Sequence, residues 1–190
     1  MIRRISFASA LVLAMAAPAF AHVGENAHGA FTSGFTHPFT GLDHLLAMIA
    51  VGAWAAQAGG MMRLTLPAAF VSVMAIGFVA AVSGVPLPFV EPAILASVVG
   101  LGLIVALAVK LPPAIGAAIT GAFALFHGHA HGSELGDASA LSFAGGFVMA
   151  TLVLHAAGLV LGMSLSGRHR FAGRLIGGAT ALAGAWLAFG

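Results

Sequence analysis

Six apolar runs, each about long enough to cross a bilayer, divide the chain from residue 42 onward. They cover residues 42–58, 64–83, 91–110, 112–131, 141–164 and 171–189. A helix of roughly 20 apolar residues spans the hydrocarbon core of a membrane. Short polar, glycine- or proline-containing segments separate the runs, as turns between spans would. The pattern therefore predicts an all-α integral membrane protein with six transmembrane helices.

The first 21 residues follow the pattern of a secretory signal peptide. Arg3 and Arg4 precede a short apolar core at residues 5–15, and Ala19-Phe20-Ala21 matches a cleavage site. The apolar core is too short to span a bilayer, although an uncleaved first helix is the alternative. We expect cleavage after Ala21.

Cleavage would leave one membrane domain, residues 22–190, which begins with a polar and glycine-containing stretch. We interpret residues 22–36 as an exported N-terminal loop. His22 would then be the N-terminal residue, and its α-amine and imidazole could together chelate a metal ion. His28 could gather metal in the same loop or belong to a solvated tail.

Charged residues separate between the two ends of the predicted helices. If the mature chain starts outside, its basic residues all fall on the cytoplasmic side, as the positive-inside rule requires. These are Arg63, Lys110, Arg168, Arg170 and Arg174. The acidic residues all fall on the exported side: Glu25, Asp43, Glu91, Glu134 and Asp137. This topology predicts a bacterial inner-membrane protein with a periplasmic N-terminus and a cation-attracting outer face.

Composition supports the membrane assignment and excludes several classes of function. The chain is 61% hydrophobic and 6% charged, with a mean hydropathy of +1.08, which is incompatible with a soluble domain and makes the lipid bilayer its partner. Its seven basic residues are scattered, so nucleic-acid binding is not expected. The absence of cysteine excludes disulfides and thiolate metal sites. The glycines, for example Gly158 and Gly162, suit closely packed membrane helices.

A polar motif stands where the first predicted span would enter the membrane. His37-Pro-Phe-Thr-Gly-Leu-Asp43-His44 brings two imidazoles and a carboxylate to the start of an apolar run. With Thr36 as N-cap and Pro38 in the first turn, a helix would project Asp43 and His44 from its second turn. Such ligands suit nickel, cobalt, zinc or copper, and ionisable groups at this depth indicate function. Alternatively, the histidines bond neighbouring carbonyls.

A second histidine cluster ends the fourth predicted span on the same side of the membrane. His127 and His131 are four residues apart and share a helix face, whereas His129 is rotated by about 200°. Either His127 and His131 alone point inward, or the glycines break the helix and all three converge. Glu134 follows about one turn later as a further ligand or as a solvated acid. His155, in the fifth span, is either an ion relay or a hydrogen-bond donor to a neighbouring helix.

Together the two motifs resemble the HupE/UreJ family of nickel and cobalt permeases, and the likeness covers most of the mature chain. The resemblance implies a metal site that corresponds to the family motifs H-x5-D-H and F-H-G-x-A-H-G-x-E. Its residues here are His37, Asp43, His44, His127, His131 and Glu134, with His129 at a variable position. The resemblance also implies nickel, or cobalt, as the substrate and an indirect link to hydrogenase or urease maturation.

The expected function is secondary, ATP-independent uptake of a divalent transition-metal ion from the periplasm, with no permanent cofactor and no enzyme activity. No phosphate-binding loop is present, and an inside-negative potential supplies about 2.3 kcal/mol per charge per 100 mV. The main alternative is a membrane metal-dependent enzyme, such as a histidine-box lipid hydrolase or oxidase. The absence of an H-E-x-x-H motif argues against it. A b-type haem protein and a metal-binding sensor are further alternatives. Proton coupling and oligomeric state stay open.

Overall fold

The computed structural model describes residues 27–135 and 139–190, and regular structure in this part of the chain is helical. Its α-helices are α1 (Ala27–Thr40), α2 (Leu42–Ala58), α3 (Met62–Val82), α4 (Val90–Leu107), α5 (Pro113–Ser133), α6 (Ala140–Ser164) and α7 (Arg170–Phe189). A 3-10 turn, Gly167–His169, precedes α7. The predicted signal peptide, His22 and Asp137 lie outside the described residues.

Four helices, α3, α4, α6 and α7, are long and apolar enough to cross a membrane. The helices α1 and α2 meet at an angle of 82° and add a fifth crossing if the bent pair is one span. Helix α5 has 21 residues, but the histidines and glycines near its end lower its mean hydropathy. The all-helical, multi-pass membrane class is confirmed, whereas length and composition identify four to five spans instead of six.

The stretch before the first predicted span is helical from residue 27, so the expectation of a loop there was wrong. Phe31, Phe35 and Phe39 recur at the four-residue spacing of one helix face, with ring centroids 6.5 and 5.6 Å apart. Pro38 lies inside α1 and does not open the next helix. The hydroxyl of Thr36 bonds to a carbonyl four residues earlier, at 2.9 Å, because it sits within a helix instead of capping one.

Gly41 forms the break between α1 and α2, with an extended backbone at φ −91° and ψ 114°. A Cβ atom there would lie 2.9 Å from Oδ1 of Asp43 and 3.2 Å from Nδ1 of His44. Glycine therefore leaves room for these two side chains against the turn. The break lets the chain fold back, so that His37 on α1 and His44 on α2 reach the same region.

Glycines make the contact between α2 and α6 a backbone-to-backbone contact. Gly52 lies against the carbonyl oxygen of His155, and Gly158 lies against the carbonyl oxygen of Ile49. Gly162, one turn further along α6, also faces α2. Membrane helices use small residues in this way because lipid gives no hydrophobic drive for their association. The predicted packing role of Gly158 and Gly162 is confirmed.

The same reciprocal arrangement joins α1 to α6 and α3 to α5. The glycine and carbonyl pairs are Gly34 with Phe143, Gly146 with Phe31, Gly77 with Leu125, and Gly128 with Met74. A side chain at any of these glycines would collide with the opposite backbone. These helices are therefore held at fixed separations by contacts that tolerate no Cβ.

The glycine contacts also show the directions of the helices. Gly116, near the start of α5, lies beside Met62, while Gly132, near the end of α5, lies beside Phe78. The helices α3 and α5 therefore run parallel, and α4, which connects them, runs in the opposite direction. The end of the bundle where α5 finishes, with His131, is called the histidine end.

The opposite end, where α5 begins, is called the arginine end. A cavity of about 640 Å³ opens there between α2, α4, α6 and α7, and Lys110, Arg170 and Arg174 line it. Arg174 donates from Nε to the carbonyl oxygen of Ala106 at 2.7 Å, and Gln57 donates to that of Val105 at 3.2 Å. The bond from Arg174 satisfies a carbonyl group of the last turn of α4, whereas the carbonyl of Val105 also accepts the N–H of Ala108 at 3.1 Å.

Candidate metal centre

Helices α1, α2 and α5 bring four histidines into contact at the histidine end. Ring centroids are separated by 4.8 Å for His37 and His131, 4.5 Å for His131 and His44, and 4.8 Å for His44 and His127. His131 and His127 are fully buried, whereas the side chain of His37 is 35% exposed. The four rings form a continuous series from the surface to the interior, which is called the histidine row.

The outer part of the row includes a carboxylate. Nε2 of His37 donates to Oε2 of Glu134 at 2.8 Å, and one ligand atom from each of His37, His131 and Glu134 lies within 4.8 Å of the other two. Glu134 lies beyond the end of α5, and the hydrogen bond from His37 lowers the pKa of its carboxyl group. These three residues form a triad, the outer triad, whose ligand types suit a divalent transition metal.

Asp43 fixes the orientation and the tautomer of His44. Its Oδ1 accepts hydrogen bonds from the backbone N–H of His44 at 2.7 Å and from ring Nδ1 at 2.8 Å. Because a carboxylate can only accept, Nδ1 carries the proton and Nε2 keeps its lone pair. That Nε2 is buried and has no hydrogen-bond partner in the described part of the chain. Metal-binding histidines are commonly oriented by a carboxylate in this way.

Ser97 of α4 does the same for His127. The hydroxyl of Ser97 donates its single proton to the carbonyl of Ile94 at 2.6 Å. In its 2.8 Å contact with His127, the hydroxyl oxygen therefore accepts a hydrogen bond from Nε2–H. The lone pair of His127 therefore resides on Nδ1, which is buried without a partner among residues 27–135 and 139–190. Sequence reasoning missed Ser97, although it is the one hydroxyl residue in the run 91–110.

His131 occupies the middle of the row. Its ring contacts those of His37 and His44 and lies 3.9 Å, between centroids, from that of Phe147. Neither of its nitrogens has a partner within the described residues. His131 therefore belongs both to the outer triad and to an inner triad, defined as His44, His127 and His131.

Not every predicted ligand reaches the row. Nε2 of His129 donates to the carbonyl oxygen of Val85 at 2.8 Å, and its Nδ1 lies 3.4 Å from the hydroxyl of Ser133. Helix α5 stays regular through its glycines, so of the two predicted arrangements the structure has the one in which His127 and His131 share the inward face. Asp43 reaches the site through His44. His22 is outside the described residues.

Comparisons with known proteins identify the family of the chain. A family model described as HupE / UreJ protein matches residues 10–187. Protein HupE of Rhizobium leguminosarum bv. viciae is 48% identical over 180 residues, which cover 94% of this chain and 94% of that protein. No solved structure matches the chain. The chain therefore belongs to the HupE/UreJ family.

Proposed function

We propose that this protein is a secondary permease that takes up a divalent transition-metal ion, nickel first and cobalt as the alternative, across the bacterial inner membrane. Family membership supports metal transport in general terms. The observation that carries the proposal is the histidine row, in which His44, His127 and His131 keep buried nitrogens without a partner in the described chain.

The chemistry of the row favours this class of ion. Imidazole suits nickel, zinc and copper, whereas calcium and magnesium prefer sites made of oxygen ligands. The outer triad, in which His37 and Glu134 are partly exposed, supplies the carboxylate of Glu134, and the buried inner triad supplies only imidazole. We propose that the ion exchanges water for the outer triad first and then moves inward, with His131 as the ligand common to both triads.

The membrane arrangement that fits this function has six crossings, α2 to α7. Helix α5 then also crosses the membrane, with its histidine face buried in the bundle. The basic residues of the arginine end face the cytoplasm under the positive-inside rule, and the histidine end faces the periplasm. An inside-negative potential of 100 mV then contributes about 4.6 kcal/mol to the uptake of a dication. The membrane potential alone can therefore drive uptake, without hydrolysis of a nucleotide.

The test is radiolabelled nickel uptake into proteoliposomes that contain the purified protein. We expect uptake that saturates with nickel, increases with an inside-negative potential and is lost in a His37→Ala/His44→Ala variant. Competition by unlabelled cobalt and zinc then ranks the substrates. Stoichiometric nickel binding without uptake would contradict the proposal and would favour a sensor or a membrane metalloenzyme.

Glu134→Gln tests the carboxylate of the outer triad without changing its size. We expect the KM for nickel uptake to rise about tenfold with little change in maximal rate. Mutation of a residue that supports a metal site lowers its metal affinity about 10–100-fold. Initial uptake rates over a nickel series measure this effect. Ser133→Ala is the adjacent control and should leave KM unchanged. An unchanged KM for Glu134→Gln would exclude its carboxylate from ion capture.

A further inference from the structure

A fifth buried histidine, His155 of α6, lies beyond the histidine row. It is 2% exposed, and neither of its ring nitrogens has a hydrogen-bond partner in the part of the chain that the structure describes. Buried polar side chains are normally paired, and those without a partner call for a physical explanation. Packing alone does not supply one, because an apolar side chain of similar size would fill the same space.

His155 is close to the inner end of the row but separated from it by an aromatic ring. The ring of Phe70 lies perpendicular to that of His155, with centroids 5.0 Å apart, and its centroid is 5.5 Å from that of His127. One turn nearer the histidine end, the hydroxyl of Thr151 lies 3.7 Å from the sulfur of Met74. The interface of α3 and α6 beside the row thus contains an imidazole, a thioether and a hydroxyl.

Buried side-chain polar atoms without partners also occur between the histidine row and the arginine end. In the described part of the chain they belong to six residues: His44, His127, His131, His155, Thr120 and Gln57. Thr120 lies seven residues before His127, and therefore on the same face of α5, two turns closer to the arginine end. Gln57 lines the cavity at the arginine end. On α2, Gly52 contacts the backbone of His155 and lies between His44 and Gln57, so His155 also lies between these two residues along the length of the bundle.

We propose that His155 is an inner binding station for the transported divalent cation, between the histidine row and the cavity at the arginine end. The proposal rests on the proposed function. One imidazole, with a thioether nearby, selects for a borderline transition metal and against magnesium or calcium. A site with so few strong ligands holds the ion briefly, which is what conduction through successive sites requires.

The first test separates transport from capture of the ion. In His155→Gln, we expect the maximal rate of nickel uptake into proteoliposomes to fall at least tenfold. The nickel affinity of the histidine row, measured by equilibrium dialysis, should stay at the wild-type value. His129→Gln is the matched control, because His129 is buried on α5 but paired with Val85, and it should keep the wild-type rate. Wild-type uptake by His155→Gln would overturn the inner station and leave the permease intact.

A second test does not depend on transport and uses the absence of cysteine from the chain. A single His155→Cys replacement should bind cadmium through a thiolate and give the ultraviolet charge-transfer band of a cadmium thiolate. His131→Cys serves as the positive control and His129→Cys as the negative control. A band for His131→Cys without one for His155→Cys would overturn the proposal, even if the wild-type protein transports nickel. If His155→Cys gives the band but the wild-type protein takes up no nickel, only the permease function is refuted.

Discussion

Replacing His131 by alanine is expected to lower nickel uptake by about 100-fold or more. Mutation of a residue that only hydrogen-bonds to a metal ligand lowers metal affinity about 10–100-fold. His131 is itself a proposed ligand and belongs to both the outer and the inner triad. Its ring contacts those of His37 and His44, so its loss also interrupts the row in the middle. Initial rates of radiolabelled nickel uptake, together with nickel binding to the purified protein, measure the effect.

His129→Gln provides the matched control for this experiment. His129 lies two residues from His131 on the same helix and is 8% exposed, but its ring is bonded to the carbonyl of Val85. We expect its replacement to leave uptake unchanged, because a glutamine amide can donate the same bond. Equal losses in the two variants would show that the inward face of α5 is assigned incorrectly.

Gly158→Ala is expected to destabilise the folded protein strongly. The added methyl group would collide with the carbonyl oxygen of Ile49 in the backbone of α2, where no side chain can move aside. Overpacking costs about 1–3 kcal/mol, and a rigid backbone contact places this variant near 3 kcal/mol. We expect less folded protein after detergent extraction and a lower midpoint of thermal unfolding, measured by size-exclusion chromatography after heating.

Gly178→Ala is the control for the stability experiment. A Cβ atom at Gly178, in α7, meets no neighbouring atom within 4 Å. Because alanine favours a helix over glycine by up to about 1 kcal/mol, this variant should match or exceed the wild-type stability. Similar destabilisation by both alanines would mean that helix separation does not depend on the glycine pairs.

The helical class and the main histidines of the site were predictable from local spacing. Apolar runs of span length indicated membrane helices, and the four-residue spacing of His127 and His131 indicated a shared face that the structure confirms. Helix α1 was not predicted, because the polar and glycine-containing start of this stretch favoured a loop, although Phe31, Phe35 and Phe39 recur at helical spacing. Gly34 instead serves the contact with α6.

The partners of the histidines could not be predicted, because they depend on contacts distant in sequence. His37 and Glu134 are 97 residues apart, and Ser97 and His127 are 30 apart. No spacing rule relates such positions until the helices are packed. Asp43 is adjacent to His44, yet its role as the acceptor for Nδ1 depends on the conformation that the Gly41 break allows.

The paired glycines also restrict how such a sequence can change over generations. Gly158 faces a main-chain oxygen of Ile49, and Gly52 faces that of His155. A larger residue at either glycine cannot be offset by a smaller side chain opposite, because the obstacle is present in every amino acid. Genetic suppressors of a Gly158 defect are therefore expected in connecting segments that let a whole helix shift, and not at Ile49.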